Sequence, residues 1–536
     1  MAKAGGTLGM AAIHIEGRNC APTRIRHEPF LLRALAAWLV VLLLCFICQP
    51  DGMARESATP DIAMPTAPDI VALERFVQTQ MVVQGIAGLA LAVTHNGQIV
   101  MLRGYGQASD GVPVSAHTQF RIASLSKSFT AVAVLQLVEA GRVELDRPVS
   151  HYVPDFTCAT NSGNAAITVR QLLHHSSGLA DAGFIDGLAG QQQTLAARVA
   201  SMRCTRQIAP PGTTFHYFDP NYQLLARLVE LASGQGFDTY LQSHIFAPLA
   251  MHDSISVPTA QVAHLAPYLA QGHIVLYGRP RAMPELSGFL AGSGGVVSSA
   301  ADMAQYLIAQ SGDGAFGARQ LLAPRSIRLM QTPAPGVTGN YGMGWVSGNV
   351  DGVRTLEHDG VLSTFYAEAV LLPDTGYGFV LLYNQYGFNS TFTTFPLLKR
   401  GMIAILTGRV AERASVSPAT LGNGLALLTL LAAGLSLFSL WRLPRWQVRT
   451  SGHAWWKAVP GLLWHFMPLM VLLALPHLLA IASGRYFEYR MLARAMPELI
   501  ILLASCGATG SINAFCRIVC IHRQTGIRHC KKDGLE

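Results

Sequence analysis

The chain is short of charge and short of cysteine. Only 13% of its 536 residues are Asp, Glu, Lys or Arg, and half are hydrophobic, which excludes a charge-solvated disordered chain and is unusually apolar for a soluble protein. No H-E-x-x-H pattern occurs, and the C-x-x-C spacing appears only at Cys45 and Cys48 inside an apolar run. A metal site therefore has no support, and no cofactor is called for. No internal repeat of about 20–50 residues is visible, which excludes a solenoid or propeller. The formal charge of +8 is not a nucleic-acid signature either. Residues 1–33 hold five Lys/Arg against two acids and residues 421–536 hold twelve against four, leaving residues 34–420 at −3. A nucleic-acid-binding domain would carry its positive charge in its folded part; here it flanks apolar runs, as the positive-inside rule expects.

Those runs are the first positive signal. ALAAWLVVLLLCFIC (34–48) follows Arg24, Arg26 and Arg33 and has the length of a signal h-region. Residues 1–54 are read as a signal peptide, with cleavage after Ala54, or as an uncleaved signal anchor. Runs 421–441, 458–482 and 497–516 are read as transmembrane helices, followed by a basic tail, 517–536. Loop 442–457 and the tail together carry nine Lys/Arg, against three in loop 483–496, so both belong on the cytoplasmic side and residues 55–415 on the outside. This predicts a bacterial inner-membrane protein with a periplasmic or extracellular domain. His465 and His477, within the second run, are read as reaching the interface rather than as a proton pathway. Cys158 and Cys204 are the two external cysteines, and one disulfide between them is left open.

The external domain reads as α+β. Residues 69–84 have helical spacing after an Asp cap. AGLALAVTHNGQIVMLRGYG follows, two β-like runs around Asn96-Gly97, the strongest short hairpin signal. Residues 130–345 are largely helical between Pro/Gly loops, and strand-like runs return at VRTLEHDG, TFYAEAVLLP and YGFVLLYN. Strands from both ends with helices between them predict one antiparallel sheet with a helical insertion.

Chemistry is suggested first by RIASLSKSFTA (121–131). Ser124 and Lys127 stand one helical turn apart at the head of an apolar helix, and Ser124 alone has a lysine at i+3. A lysine entering a core needs a reason, and one reason is a neutral amine taking the proton of a serine nucleophile. Tyr217, after the Pro210-Pro211-Gly212 turn and before a helix from about Tyr222, is by default a packing tyrosine. His358, in His358-Asp359-Gly360 at a strand end, is by default structural. Gly360 suggests the close approach of backbone or ligand.

Taken together and in order, Ser124-Leu125-Ser126-Lys127, Tyr217-Phe218-Asp219 and His358-Asp359-Gly360 resemble the serine β-lactamase and penicillin-binding protein superfamily, near its class C branch. So do the flanking segments GRVELDRPVSHYVPDF, ITVRQLLHHSSGL and AGSGGVVSSAADMAQYL. The resemblance spans about residues 69–400. It implies a β-lactamase-like fold and an acyl-enzyme on Ser124, with Lys127 as base and Tyr217 as relay. It also implies His358 in place of the family's third-motif lysine and an oxyanion hole from the N–H groups of Ser124 and Val361. The departure is Asp219 where the family has Asn. A carboxylate beside Lys127 favours its ammonium form, and Asp219 is also read as a recogniser of a substrate amine. A soluble domain followed by three spans resembles the membrane-anchored peptidases that remove an N-acyl-D-asparagine prodrug group. The leading expectation is thus a peptidase or amidase on substrates containing D-amino acids. The alternatives are an esterase or weak β-lactamase, or a non-catalytic penicillin-recognising envelope protein. The partner expected is a small-molecule or peptide substrate, with the membrane around the C-terminal helices.

Overall fold

Asn96 and Gly97 have φ of 46° and 77°, both left-handed, as a two-residue hairpin turn requires. That turn joins β1 (Gly88–His95) to β2 (Gln98–Ser109), which ends against a short β3 (Val112–Pro113). The remaining strands of the sheet come from far along the chain: β4 (Val346–Val350), β5 (Val353–Val361), β6 (Tyr366–Leu372) and β7 (Tyr377–Tyr383). All seven pair antiparallel in the order β4-β5-β6-β7-β1-β2-β3. The register sets Leu89 opposite Tyr383. The structure, a computed structural model, describes residues 69–156, 167–181, 194–202, 205, 207–261, 266–412, 417–450 and 454–532. The leader expected in residues 1–54 and the pair Cys158 and Cys204 lie outside the described residues.

The expected α+β architecture is what forms, and side-chain alternation explains why its central strands lack a polar face. Ala90 and Ala92 of β1 join one core, with Ala367 and Ala369 of β6 and Val380 and Leu382 of β7. Their neighbours Leu89, Leu91 and Val93 join another, with Val370, Phe379 and Leu381. Successive residues of a strand point to opposite faces, and here both faces are covered. The first face packs on the insertion, including α2 (Ser126–Glu139), α3 (Asp219–Ser233) and α4 (Ala300–Ser311). The second packs on α1 (Ile70–Val83) and α5 (Thr394–Leu406). Asp69 caps α1, accepting a hydrogen bond from the Ala72 N–H at 2.8 Å.

Three elements differ from the sequence reading. Strand β4 adds an edge to β5 from a segment too polar, VSGNV, to show strand periodicity. The insertion contains strands His273–Leu276 and Arg279–Ala282, a hairpin turned by Tyr277 and Gly278, both at positive φ. Helix α3 starts at Asp219 rather than near Tyr222, with Pro220 in its first turn, where a missing N–H costs nothing.

Among the described residues, three helices are long and apolar enough to cross a membrane: Pro418–Trp441, Trp456–Ser483 and Pro497–Gln524. They form α6 (Pro418–Trp441), α7 (Val459–Ser483) and α8 (Pro497–Lys532). The expected basic tail is thus largely a continuation of α8. Helices α7 and α8 meet at small residues: a Cβ on Gly510 would lie 2.2 Å from the His465 carbonyl oxygen, and one on Gly507 3.2 Å from Leu469. Close backbone approach of this kind is how membrane helices associate. His465 lies in that contact, and His477 meets the ring of Tyr486 edge-on at 5.9 Å.

Strand β5 runs against the turn that carries Ser124. A Cβ on Gly360 would sit 2.2 Å from the carbonyl oxygen of Ile122. The close approach expected at Gly360 is therefore that of the chain's own backbone. Gly360→Ala should lower stability by about 1–3 kcal/mol through overpacking. Gly288→Ala, where an added Cβ meets nothing within 4 Å, should be neutral; thermal unfolding of the detergent-solubilised chain compares the two.

Candidate active site

Ser124 is not on an α-helix but in the short 3-10 turn Ala123–Leu125 that leads into α2. Ala123 has φ 48°, a left-handed conformation that costs a residue with a Cβ roughly 1–2 kcal/mol. Ser126 secures this strained turn: its Oγ donates to the Ala123 carbonyl at 2.6 Å and accepts from the Val296 N–H at 2.9 Å. Phe129, two residues beyond Lys127, is fully buried and stacks on Tyr306 at 4.0 Å, fixing the rotation of α2. Lys127, on the first turn of α2, consequently points inward, and it has no exposed surface at all.

Three groups meet the Lys127 nitrogen. The Ser124 Oγ lies at 2.9 Å, the Ser293 carbonyl oxygen at 2.8 Å and the Asp219 Oδ1 at 2.6 Å. An ammonium would donate to all three. A neutral amine would donate to Ser293 and Asp219 and accept the Ser124 hydroxyl proton on its lone pair. The same geometry serves both states, so a proton can pass from Ser124 to Lys127 without rearrangement. Burial pulls the Lys127 ammonium below its ordinary range; Asp219 opposes this, and Arg485 adds to the lowering.

Asp219 is the junction of the site. Its Oδ2 accepts from Arg485 at 2.8 Å. Burial disfavours its charge, but Lys127 and Arg485 on its two sides hold the carboxyl below the usual carboxylate range. Both oxygens are engaged by the chain's own cations, Lys127 on Oδ1 and Arg485 on Oδ2.

The Tyr217 ring lies 4.8 Å from the Lys127 nitrogen, and the Ser124 hydroxyl acts on its phenol. Burial and then Asp219 push this phenol well above its ordinary value, so it is a neutral hydroxyl able to relay a proton, not a stored phenolate. His358 is buried on β5. Its Nδ1 donates to the Asp359 carbonyl at 2.6 Å, leaving Nε2 to accept from the Tyr341 hydroxyl at 3.2 Å. Burial lowers its pKa, which favours the neutral imidazole. Gly360 and Val361 follow it on the strand beside the Ala123–Leu125 turn. Ser124, Lys127, Tyr217, Asp219 and His358 are thus brought together from the start of α2, the loop before α3 and strand β5.

The sequence reading passed over four residues. Ser293 supplies a carbonyl to Lys127 from within the segment AGSGGVVSS, but a backbone acceptor leaves no signature in side-chain chemistry. His175 is fully buried; its Nδ1 accepts from the Phe218 N–H and the Asn221 side chain, each at 3.2 Å, and its ring lies 4.4 Å from that of Tyr217. It holds the peptide between Tyr217 and Asp219. Tyr341 hydrogen-bonds His358. Arg485 reads in the sequence only as a loop charge. Among the described residues no group of three or more metal-ligating side chains occurs.

The family model described as Beta-lactamase matches residues 73–396, from within α1 to within α5. Penicillin-binding protein 4 of Amycolatopsis lactamdurans is 30% identical over 318 residues, 58% of this chain and 83% of that protein. The octameric penicillin-binding protein homologue from Pyrococcus abyssi has a TM-score of 0.55 at 26% identity, over 65% of this chain and 79% of that one. The structure of SurE with D-Leu has a TM-score of 0.51 at 25% identity, over 64% of this chain and 77% of that one. By sequence and by fold, the chain belongs to the beta-lactamase family.

Proposed function

We propose that this protein is a membrane-anchored serine hydrolase that works through an acyl-enzyme on Ser124, acting on amide bonds at a D-amino acid or a related peptide. The observation that carries the reading is the sealed Lys127 amine, 2.9 Å from the Ser124 hydroxyl. The Ser124 oxygen attacks the substrate carbonyl carbon while its proton moves to Lys127. The carbonyl oxygen becomes an oxyanion, for which the N–H groups of Ser124 and Val361 are the proposed donors. As the tetrahedral intermediate collapses, the C–N bond breaks and the leaving amine takes a proton through Tyr217, leaving an ester. Water then adds to the ester carbonyl, giving its proton to the Tyr217–Lys127 pair, and the acid leaves as Ser124 is re-protonated.

The D-amino-acid preference draws support from the relatives: one is named a penicillin-binding protein and another was solved with D-Leu. The external placement of the catalytic domain draws support from charge. The loop 484–496 contacts the catalytic domain through Arg485 and Arg494, so the two share a side of the membrane. The opposite side receives Arg442, Arg445, Arg449 and Lys457, the basic excess expected of a cytoplasmic face.

Intact-mass labelling with a fluorophosphonate and with a penicillin should give one adduct on the native chain and none on Ser124→Ala. No adduct on the native chain would move the non-catalytic reading to the front. N-acyl-D-amino acid amides should then be turned over faster than chromogenic esters or a cephalosporin; the reverse order would favour the esterase or β-lactamase alternative.

Lys127→Met should slow labelling by about 10²–10⁴-fold, the usual contribution of a general base. In the native chain the labelling rate should rise with pH through the titration of Lys127, at a pH below the ordinary lysine range, because only the neutral amine accepts the Ser124 proton. A pH-independent rate would exclude Lys127 as the base.

A further inference from the structure

Asp219 poses a chemical problem that the catalytic domain does not resolve by itself. A carboxylate 2.6 Å from the Lys127 nitrogen favours the ammonium, and an ammonium cannot take the Ser124 proton. The groups that act on Lys127 are Asp219 and Tyr217 from the start of α3 and the loop before it, Tyr222 from α3, and Asp359 and His358 from β5. His175 follows the short helix Val169–Leu173, and Arg485 completes the set. His175 and His358 are buried, with pKa values lowered first by that burial, and Tyr217 is a neutral phenol. The permanent positive charge in this set is Arg485, and it alone comes from the membrane module.

Its position is held at many points. Helix α7 ends at Gly484 with φ 70°, a left-handed cap that turns the chain back toward the domain. The Arg485 N–H donates to Ser483 Oγ at 3.2 Å. Its guanidinium lies 2.8 Å from Asp219 Oδ2, 3.8 Å from Asp181 and 4.9 Å from the centre of the Tyr217 ring. The next N–H, of Tyr486, donates to Asp181 at 3.1 Å. Farther along the same loop Arg494 donates to Ser363 Oγ at 3.1 Å and to the Pro284 carbonyl. At the heads of the membrane helices, Glu498 accepts from the Tyr277 N–H at 2.6 Å, and the Tyr277-Gly278 turn packs on Ala419 and Gly422. The loop is thus docked on the catalytic domain along its length, with Arg485 at the reactive end.

We propose that Arg485, on the loop between the second and third membrane helices, is a positioning residue of the hydrolase site. By holding the outer oxygen of Asp219 it leaves Lys127 free to act as base, which makes the membrane module a working part of the active site as well as an anchor. An Asp219 carboxylate already matched by a guanidinium is a neutral pair. It orients Lys127 by a hydrogen bond while exerting little net pull on its proton, and Arg485 and a Lys127 ammonium repel each other. Remove Arg485 and the same carboxylate becomes a counter-ion that locks Lys127 in its protonated form. A hydrolase built this way is active only where its membrane helices have folded against it. The inference rests on the serine-hydrolase reading, but the protonation of Lys127 is measurable without turnover.

The chain has only six lysines, so carbon-13 labelling at lysine Cε gives a spectrum in which Lys127 is assigned by its absence from Lys127→Met. The full detergent-solubilised chain is titrated alongside the pH profile of fluorophosphonate labelling. In Arg485→Gln both the Lys127 midpoint and the acid limb of the profile should move up by about one pH unit or more, a tenfold or greater loss of rate below the midpoint. Arg485→Lys should shift them less, and Asp219→Asn added to Arg485→Gln should bring them back down. A structural role for the loop would instead lower the rate equally at every pH, with no shift and no return in the double variant; that result, or an unmoved Lys127 midpoint, overturns the proposal. If Arg485→Gln fails to fold, the midpoints of Arg485→Lys and the double variant against the native chain decide in the same way. If the native chain takes no label yet its Lys127 midpoint moves with Arg485, the hydrolase reading fails and the coupling stands.

Discussion

The site depends on a nitrogen buried away from the surface. Lys127 is enclosed completely, and a buried cation without partners is expensive by several kcal/mol. The protein meets that cost with a hydroxyl, a carbonyl and a carboxylate arranged so that the amine is satisfied with or without its third proton. The rest of the catalytic domain follows from keeping those partners in place. The Ala123 strain holds up Ser124, Ser126 ties the turn to Val296, and Gly360 lets β5 close over it. His175 grips the peptide that sets Tyr217 and Asp219 side by side.

The sheet contributes by bringing distant parts of the chain within reach. Strand β1 pairs with β7, joining residues almost 300 positions apart, as Leu89 and Tyr383 show. That closure carries the His358–Val361 segment to the Ser124 turn. Because both faces of the sheet are covered, its register is constrained twice: a slip of one residue would exchange the small alanines of β1 for leucines on the side facing the insertion. The chemistry inherits its precision from that packing rather than from the loops.

Electrostatically, the site is a short chain of alternating charge, Lys127, Asp219 and Arg485, that ends on the membrane loop. Where the family pattern has a neutral amide, this chain has an acid, and the acid comes with its own cation. The three arginines of the loop 483–496, which run against a simple count of inside and outside charge, are partly explained by this. Arg485 and Arg494 hydrogen-bond Asp219 and Ser363 of the beta-lactamase-like domain.

Much of this was legible from residues in order. Periodicity and an Asn-Gly turn located the first hairpin, apolar runs of sufficient length located the three helices long and apolar enough to cross a membrane, and the sequence motifs named Ser124, Lys127, Tyr217 and His358. Such signals are local: they depend on neighbours one turn or one strand away, where chain connectivity already fixes the distance. Strand β4 escaped because its sequence is polar and only pairing with β5 makes it a strand. Ser293 escaped because it contributes a backbone carbonyl. Arg485 escaped because it lies 266 residues from Asp219, and nothing in a loop arginine distinguishes one that holds a carboxylate from one in water. Residue order alone set a serine three positions before a lysine at the head of an apolar helix, and an acid where the resemblance implies an amide. That the acid is matched by Arg485, from the segment between the last two long apolar helices, emerged from the fold, because charges far apart in the chain interact only after folding has removed the solvent between them.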